Sequence, residues 1–417
     1  MKNRRREFMK SLAAGAAAGT GLFEKSTLPE VGRMNPPKTW DVAVIGAGVF
    51  GAWTAHHLLA AGKSVMLVDA FGPANSRASS GGESRIIRMG YGPDEIYTRW
   101  SLRSLGLWVD FFRRVNRPLF HRAGVLWIAR GEDRYLSETL LTLDQLKVPF
   151  ERFSGTDLKE RYGQITFEPD DWGLLEPESG VLMARQAVQA LVGDAIQRGA
   201  FYQRSSVTRL AARGRLASVT TGNGDVVRAG EFIFACGPWL PQLFPEVLEG
   251  RIQPTRQEVF FFGQPHGDRS FSAPAFPAWI DFGHEIYGIP DIENRGFKIA
   301  LDRHGPAFDP ATGERTPTAE NLQEVRKYLA WRFPVLKDSP VLEARVCQYE
   351  NTSTGDFLID RHPDSENVWL VGGGSGHGFK HGPALGEYVA GRILNGGAVE
   401  PRFSLASKGK TSQRAVY

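Results

Sequence analysis

The chain has 417 residues, 42% of them hydrophobic, which is enough for two packed domains and too apolar for wholesale disorder. Its formal charge is +4 with a pI near 9.0, yet Lys2, Arg4, Arg5, Arg6 and Lys10 against Glu7 account for that whole excess. The remainder is close to neutral, which removes the electrostatic footprint of a nucleic-acid partner, and the length and apolar content lead to the expectation of a soluble α/β enzyme.

The first residues read Arg5-Arg6-Glu7-Phe8-Met9-Lys10, followed by a weakly apolar, Ala- and Gly-rich run from Ser11 to Phe23. A basic, then apolar, then small-residue order is that of a twin-arginine export signal, so residues 1–37 are assigned to a signal and linker and a periplasmic or otherwise exported protein is expected. A basic tail without a targeting role is the alternative. The apolar run falls short of the roughly 20 residues a spanning helix takes, so no integral membrane segment is expected in the mature protein.

Asp41-Val42-Ala43-Val44-Ile45 reads as a buried strand, Gly46-Ala47-Gly48-Val49-Phe50-Gly51 as a tight turn, and Ala52 to Ala61 as a helix. The run Ser64 to Asp69 is a second strand, completing a βαβ unit. Gly46 permits the turn, Gly48 lets backbone approach a pyrophosphate, and Gly51 allows helix and strand to pack closely. The helix start offers N–H groups and partial positive charge to phosphates, and Asp69 stands where a carboxylate accepts hydrogen bonds from ribose hydroxyls. The turn alone does not separate FAD from NAD.

Further on, Val207 to Leu210 and Val219 to Thr221, the turn Gly222-Asn223-Gly224-Asp225 and Val226-Val227 have hairpin chemistry. Glu231 to Gly237 reads as a strand ending in a small-residue turn suited to close approach by a cofactor. This late return to nucleotide-binding structure implies discontinuous domains. The segments 119–179 and 251–346, rich in aromatic residues and polar turns, are assigned to a substrate domain, and 38–118, 180–250 and 347–402 to the nucleotide domain. Residues 403–417 remain as a tail. The cysteines are Cys236 and Cys347; in an oxidising compartment they could pair, while Cys347 followed by Gln348-Tyr349 also reads as a flavin-attaching thiol.

Taken in order, GAGVFG, VDAFGP, the Ser84-Arg85-Ile86-Ile87-Arg88 segment, EPESGVL, QPTRQ, Cys347-Gln348-Tyr349, FLIDRHP and SGHGFK resemble the monomeric sarcosine oxidase and N-methyltryptophan oxidase family, within the D-amino-acid-oxidase-like FAD enzymes. The likeness runs from Asp41 to about Gly397. It implies an α/β (α+β overall) fold: a glutathione-reductase-like, Rossmann-type FAD domain beside a substrate domain built on a mostly antiparallel sheet. It also implies an amino-acid substrate, oxygen as second partner and a monomer.

By that resemblance Cys347 forms a thioether to the flavin, and Arg88 and Lys380 clamp the substrate carboxylate with a forked guanidinium and an ammonium. Tyr287 and Tyr349 line the substrate pocket. Lys298 is the oxygen-activating cation, and Arg85 tunes flavin charge. Ser84, Val207, Gly376, Gly378 and Lys380 join the glycines and Asp69 in holding FAD, and no metal ligand is assigned. Two departures concern the substrate: Gly81 stands where the family has a histidine, and Asp302 where it has a second one. Asp302 would favour a larger or more cationic substrate if it faces the pocket; a shifted loop would place it at the surface. The expected activity is oxidation of secondary-amine amino acids, N-methyl or cyclic, with peroxide as product. A dehydrogenase feeding a quinone or periplasmic carrier, and a flavin-loaded carboxylate-binding protein without turnover, are the alternatives.

Overall fold

The computed structural model describes residues 39–208 and 213–410; the export-signal assignment lies outside them. Among the described residues the strands form three sheets. The first follows from the β-branched, fully apolar runs of the N-terminal third. Strand Trp40–Ile45 sits at its centre, parallel to Val65–Asp69 on one side and to Val226–Phe234 on the other. Phe201–Arg204 extends one flank in parallel, and Val368–Gly372 the other, edged by antiparallel Leu358–Arg361. Helices cover these strands, which explains why the strands read as continuous hydrophobic stretches. The expected hairpin is present: Ser218–Thr220 pairs antiparallel with Val226–Phe234. Its second arm is continuous with the strand expected from Glu231, because no turn residue able to break the pairing intervenes after Gly230.

The glycine turn works as its spacing requires. Gly46 has φ +107°, and a Cβ there would overlap the Ala235 carbonyl; a Cβ on Gly51 would overlap the Gly46 carbonyl. The turn can therefore press against both the end of Val226–Phe234 and the first turn of helix Val49–Ala60. That helix packs on helix Gly382–Asn395, where Gly386 brings the backbone against Trp53.

The second sheet has eight strands, in the order Val341–Thr352, Ile252–Phe262, Phe297–Leu301, Ile286–Ile289, Ala278–Asp281, Val125–Arg130, Asp171–Glu176 and Glu151–Phe153. Its pairs are antiparallel except Ala278–Asp281 with Val125–Arg130. The domain boundary expected between residues 346 and 347 falls inside its first strand. A small third sheet, Arg85–Ile87, Gly180–Leu182 and Phe120–His121, includes Arg85 and lies immediately before Arg88.

A buried ion cluster ties the second sheet to helix Ala319–Arg332. Arg332, fully buried, donates to Asp171 at 2.7 Å, to Asp281 at 2.6 Å and to the Thr166 carbonyl at 2.8 Å. The Tyr328 hydroxyl adds 2.7 Å to Asp281. Removing one member leaves uncompensated charge in the interior, so Arg332→Met should lower the unfolding free energy by about 3–5 kcal/mol in denaturant titration. A loss below about 1 kcal/mol would reduce the cluster to the value of a surface pair.

Candidate active site

Two cavities meet beside the glycine turn. The first is a cleft at the C-terminal ends of the parallel strands, lined by Gly46, Gly48, Asp69, Val207, Cys236, Gly374 and Gly378. Crevices at this edge of a parallel sheet are where dinucleotides bind. Asp69 accepts the Ala47 N–H at 2.8 Å on Oδ2, and the Phe71 and Gly72 N–H groups at 2.9 and 2.7 Å on Oδ1. It thus holds the glycine turn in place and keeps acceptor capacity on Oδ2 for a hydroxyl. The Val49 N–H at the helix start donates to Ser80 Oγ at 3.1 Å. Gly51 serves packing and does not line the cleft. Ser84 turns its carbonyl to Lys298 and Arg85, so its contribution is to side-chain placement.

The second cavity rests on one face of the eight-stranded sheet. Strand alternation decides which residues line it. On Val341–Thr352 they include Arg345, Cys347 and Tyr349; across the ladder come Gln257, Val259 and Phe261, then Lys298, then Tyr287 and Ile280. Asp302 follows the Lys298 strand in the same parity and lines the cavity too. Its backbone N–H donates to the Glu285 carbonyl at 2.6 Å, and its carboxylate accepts the Tyr349 hydroxyl at 2.9 Å. The surface alternative for Asp302 is therefore replaced by a position inside the cavity. Gly81 also lines it, with backbone so close to Asn75 that a Cβ would overlap the Asn75 carbonyl; a side chain of histidine size is excluded there. Arg85, Tyr349, Gly376 and Phe379 line both cavities and mark the junction.

Arg88 and Lys380 enter this cavity from elsewhere in the fold, Arg88 just beyond strand Arg85–Ile87 and Lys380 from the turn Phe379–His381. Both are buried, 4% and 5% exposed. The Arg88 guanidinium lies 4.4 Å from the Tyr91 ring centroid and 4.7 Å from that of Trp127, and donates to the Gly90 carbonyl. Glu176 braces the backbone beside it, accepting the Gly90 N–H at 3.0 Å and the Trp127 indole N–H at 2.8 Å. Lys380 Nζ donates to the Tyr91 hydroxyl at 2.8 Å and to the His377 carbonyl at 3.0 Å. Burial, and then Arg88, push the Lys380 ammonium well below its ordinary pKa, with Asp302 and Glu176 opposing. A bound anion would supply the counter-charge this pair needs.

At the other end of the same floor, Lys298 is 2% exposed and donates to the Ser84 carbonyl at 3.1 Å. Burial, then the neighbouring Arg85, lower its pKa to about 7. Arg85 donates to the Ser84 and Ser79 carbonyls at 2.8 and 2.7 Å, and its Nη2 stands 3.6 Å from Cys347 Sγ. Cys347 and Cys236 are both free; Cys236 Sγ faces the Ile45 carbonyl at 3.3 Å within the cleft, so the disulfide alternative is not what the fold forms.

A family model described as FAD dependent oxidoreductase matches residues 41–392. The chain belongs to that family. Human peroxisomal sarcosine oxidase is 32% identical to it over 84% of this chain and 91% of its own length. N-methyl-L-tryptophan oxidase of Salmonella arizonae is 31% identical over 84% and 94%. Among solved structures, L-proline dehydrogenase from P. horikoshii superposes with a TM-score of 0.77 at 22% identity, covering 88% of this chain and 97% of that one, and shares the fold.

As in other FAD-dependent oxidoreductases, the cofactor's place must be consistent with the residues present, and it is. The glycine turn leaves no Cβ between backbone and cleft, Asp69 offers a carboxylate oxygen, and the cleft opens onto a second cavity at Arg85 and Tyr349. Several residues that build this site were not singled out from the sequence. Tyr91 receives Lys380 and contacts His381 Nε2 at 2.7 Å and His377 Nδ1 at 3.2 Å, which makes it the hub joining Lys380 to both histidines. His377 lies in the SGHGFK motif, His381 directly follows it, and Glu176 opens EPESGVL; only contacts reveal that they brace Arg88 and Lys380. Glu350, next to Tyr349, lines the dinucleotide cleft.

Proposed function

We propose that this FAD-dependent oxidoreductase oxidises secondary-amine amino acids, N-methyl or cyclic, and passes the electrons to oxygen. The observation that carries the reading is the joint placement of Arg88, Lys380, Lys298 and Cys347 in a single cavity that opens onto the dinucleotide cleft. Arg88 and Lys380 grip the substrate carboxylate; buried charge-assisted hydrogen bonds to a planar anion give position as well as affinity. Fixing the carboxylate restricts where the adjacent nitrogen-bearing carbon can lie, which is how orientation lowers the barrier. Asp302 and the Tyr349 hydroxyl supply polar contacts for the amine. Burial lifts the Asp302 carboxyl to about 6, against the pull of the Tyr349 hydrogen bond, Arg88 and Lys380, so near neutral pH it stands ionised and suits a cationic amine.

Bound FAD supplies the two-electron acceptor that no side chain can. In balance, the C–N single bond loses two electrons and two protons to become an imine, water later cleaves the imine, and oxygen takes up the same electrons and protons as hydrogen peroxide. Lys298 contributes a cation where negative charge develops on oxygen. We further propose that Cys347 carries the flavin covalently. Its thiol lines the cavity with Arg85 Nη2 3.6 Å away, and Arg85 lines both the cavity and the dinucleotide cleft.

A visible absorbance spectrum before and after acid precipitation, followed by anaerobic addition of N-methyl and cyclic amino acids, tests both statements. Yellow colour should stay with the precipitate and bleach with one of these substrate classes, and aerobic turnover should yield one peroxide per substrate. Cys347→Ala should release the colour to the supernatant. Colour released from the unaltered protein would overturn the linkage alone; no bleaching across the panel would overturn the amine reading; bleaching without peroxide would overturn the oxygen step.

A further inference from the structure

Glu350 is a carboxyl group that neither the glycine turn nor the substrate clamp uses. It lies on strand Val341–Thr352 of the eight-stranded sheet, yet it lines the dinucleotide cleft of the other sheet. It is 7% exposed, and its Oε2 is buried without a hydrogen-bond partner. Two glycine-bearing turns frame it, at the C-terminal ends of two adjacent parallel strands. Oε1 lies 3.6 Å from where a Cβ on Gly237 would be and 3.4 Å from one on Gly374; Oε2 lies 3.6 Å from one on Gly372. These turns follow strands Val226–Phe234 and Val368–Gly372, so the carboxyl reaches across the crevice edge where a dinucleotide sits.

An ionised carboxylate buried here would lack compensation. No cation acts on it among the described residues; burial raises its pKa to about 7, opposed only by the Gly373 backbone N–H. The Cys236 thiol, pushed up by burial and then by Asp69 and Glu350, lines the same cleft, as does Asp69. Neither supplies the positive charge that an ionised Glu350 would need. In its neutral form the carboxyl carries an O–H, and the cofactor that fills this cleft presents phosphate and hydroxyl oxygens as acceptors.

We propose that Glu350 binds FAD as a neutral carboxylic acid, donating a hydrogen bond to an oxygen of the cofactor, so that cofactor affinity falls as this group ionises. The inference depends on FAD occupying the cleft and is independent of which amine is oxidised. Burying a donor against an acceptor is favourable, whereas a carboxylate facing the same oxygen would be left unpaired and repelled.

The test measures FAD affinity without turnover. Holoprotein carrying Cys347→Ala, so that no covalent bond masks equilibrium, is followed by the rise in flavin fluorescence on release, between pH 6 and pH 9. The dissociation constant should rise by about tenfold per pH unit once Glu350 titrates, as one linked proton requires. Adding Glu350→Gln keeps a donor of the same shape and removes the ionisation; its dissociation constant should match the acid-limb value at every pH. Glu350→Leu should bind weakly throughout with no such slope. Lys298 titrates in the same range in the adjoining cavity, and comparison with Glu350→Gln isolates its share. An unchanged slope in Glu350→Gln, or a flat profile in the Cys347→Ala parent, would overturn the proposal. If the glutamine variant does not fold, the parent's profile alone still decides against it when flat, and a Lys298→Met comparison decides for it when the slope persists.

Discussion

Lys298→Met should slow reoxidation of the reduced enzyme by oxygen roughly 10²- to 10³-fold, the range lost when one preorganised charge-stabilising group is removed from a site excluded from water. Anaerobic reduction by substrate should change far less, because Lys298 stands at the Arg85 end of the cavity floor while the carboxylate clamp we propose is Arg88 with Lys380. Stopped-flow mixing measures the two half-reactions separately. The pH dependence has a definite sign. Burial and Arg85 lower the Lys298 pKa to about 7, so its cation is present below that value and lost as pH rises through it. Reoxidation should therefore fall with rising pH in the unaltered enzyme and be flat at the slow rate in Lys298→Met. Lys298→Arg, whose charge persists at every accessible pH, should abolish the fall. Equal reoxidation rates for Lys298→Met and the unaltered protein would remove Lys298 from the oxygen step.

Arg88→Gln should cost about 2–5 kcal/mol in kcat/KM, the loss typical of truncating one partner of a buried, hydrogen-bonded charge pair. That is a decrease on the order of thirty- to several-thousand-fold. The argument rests on burial: Arg88 is 4% exposed and held between the Tyr91 and Trp127 rings, so water cannot replace it. Arg88→Lys should lie between the two, since it retains charge and loses the fork. A non-oxidisable carboxylate such as acetate, titrated by its perturbation of the flavin spectrum, should lose affinity in parallel. Unaltered acetate binding in Arg88→Gln would place the carboxylate elsewhere in the cavity, and unaltered kcat/KM would dissolve the clamp.

Much of this architecture was legible because local rules and fold rules coincide. The βαβ unit from Asp41 to Asp69 combines a β-branched run, glycines at fixed offsets and a terminal acid, and each feature is demanded by contacts between near neighbours in sequence. Motif order then located Arg88, Lys298, Cys347 and Lys380 before any spatial information was present. Less was legible at Glu231, where a separate strand was expected; pairing with Trp40–Ile45 and Val368–Gly372 holds Val226–Phe234 as one continuous strand, and both partners are remote in sequence. The contacts that support Lys380 were hidden for the same reason. Tyr91 and His381 meet at 2.7 Å across 290 positions of sequence, and no periodicity reports such a meeting.

By itself the sequence determined the dinucleotide-binding unit, the family and the identity of the cations and thiol available for chemistry, since these depend on residue type and short-range spacing. Tertiary structure alone decided that Asp302 faces the cavity and pairs with Tyr349, that the two cysteines have separate surroundings, and that Glu350 crosses from one sheet into the cleft of the other. Those outcomes depend on strand register and on which turns close against the strands; on the antiparallel strand Val341–Thr352 a shift of one residue would turn Tyr349 and Glu350 to the opposite faces.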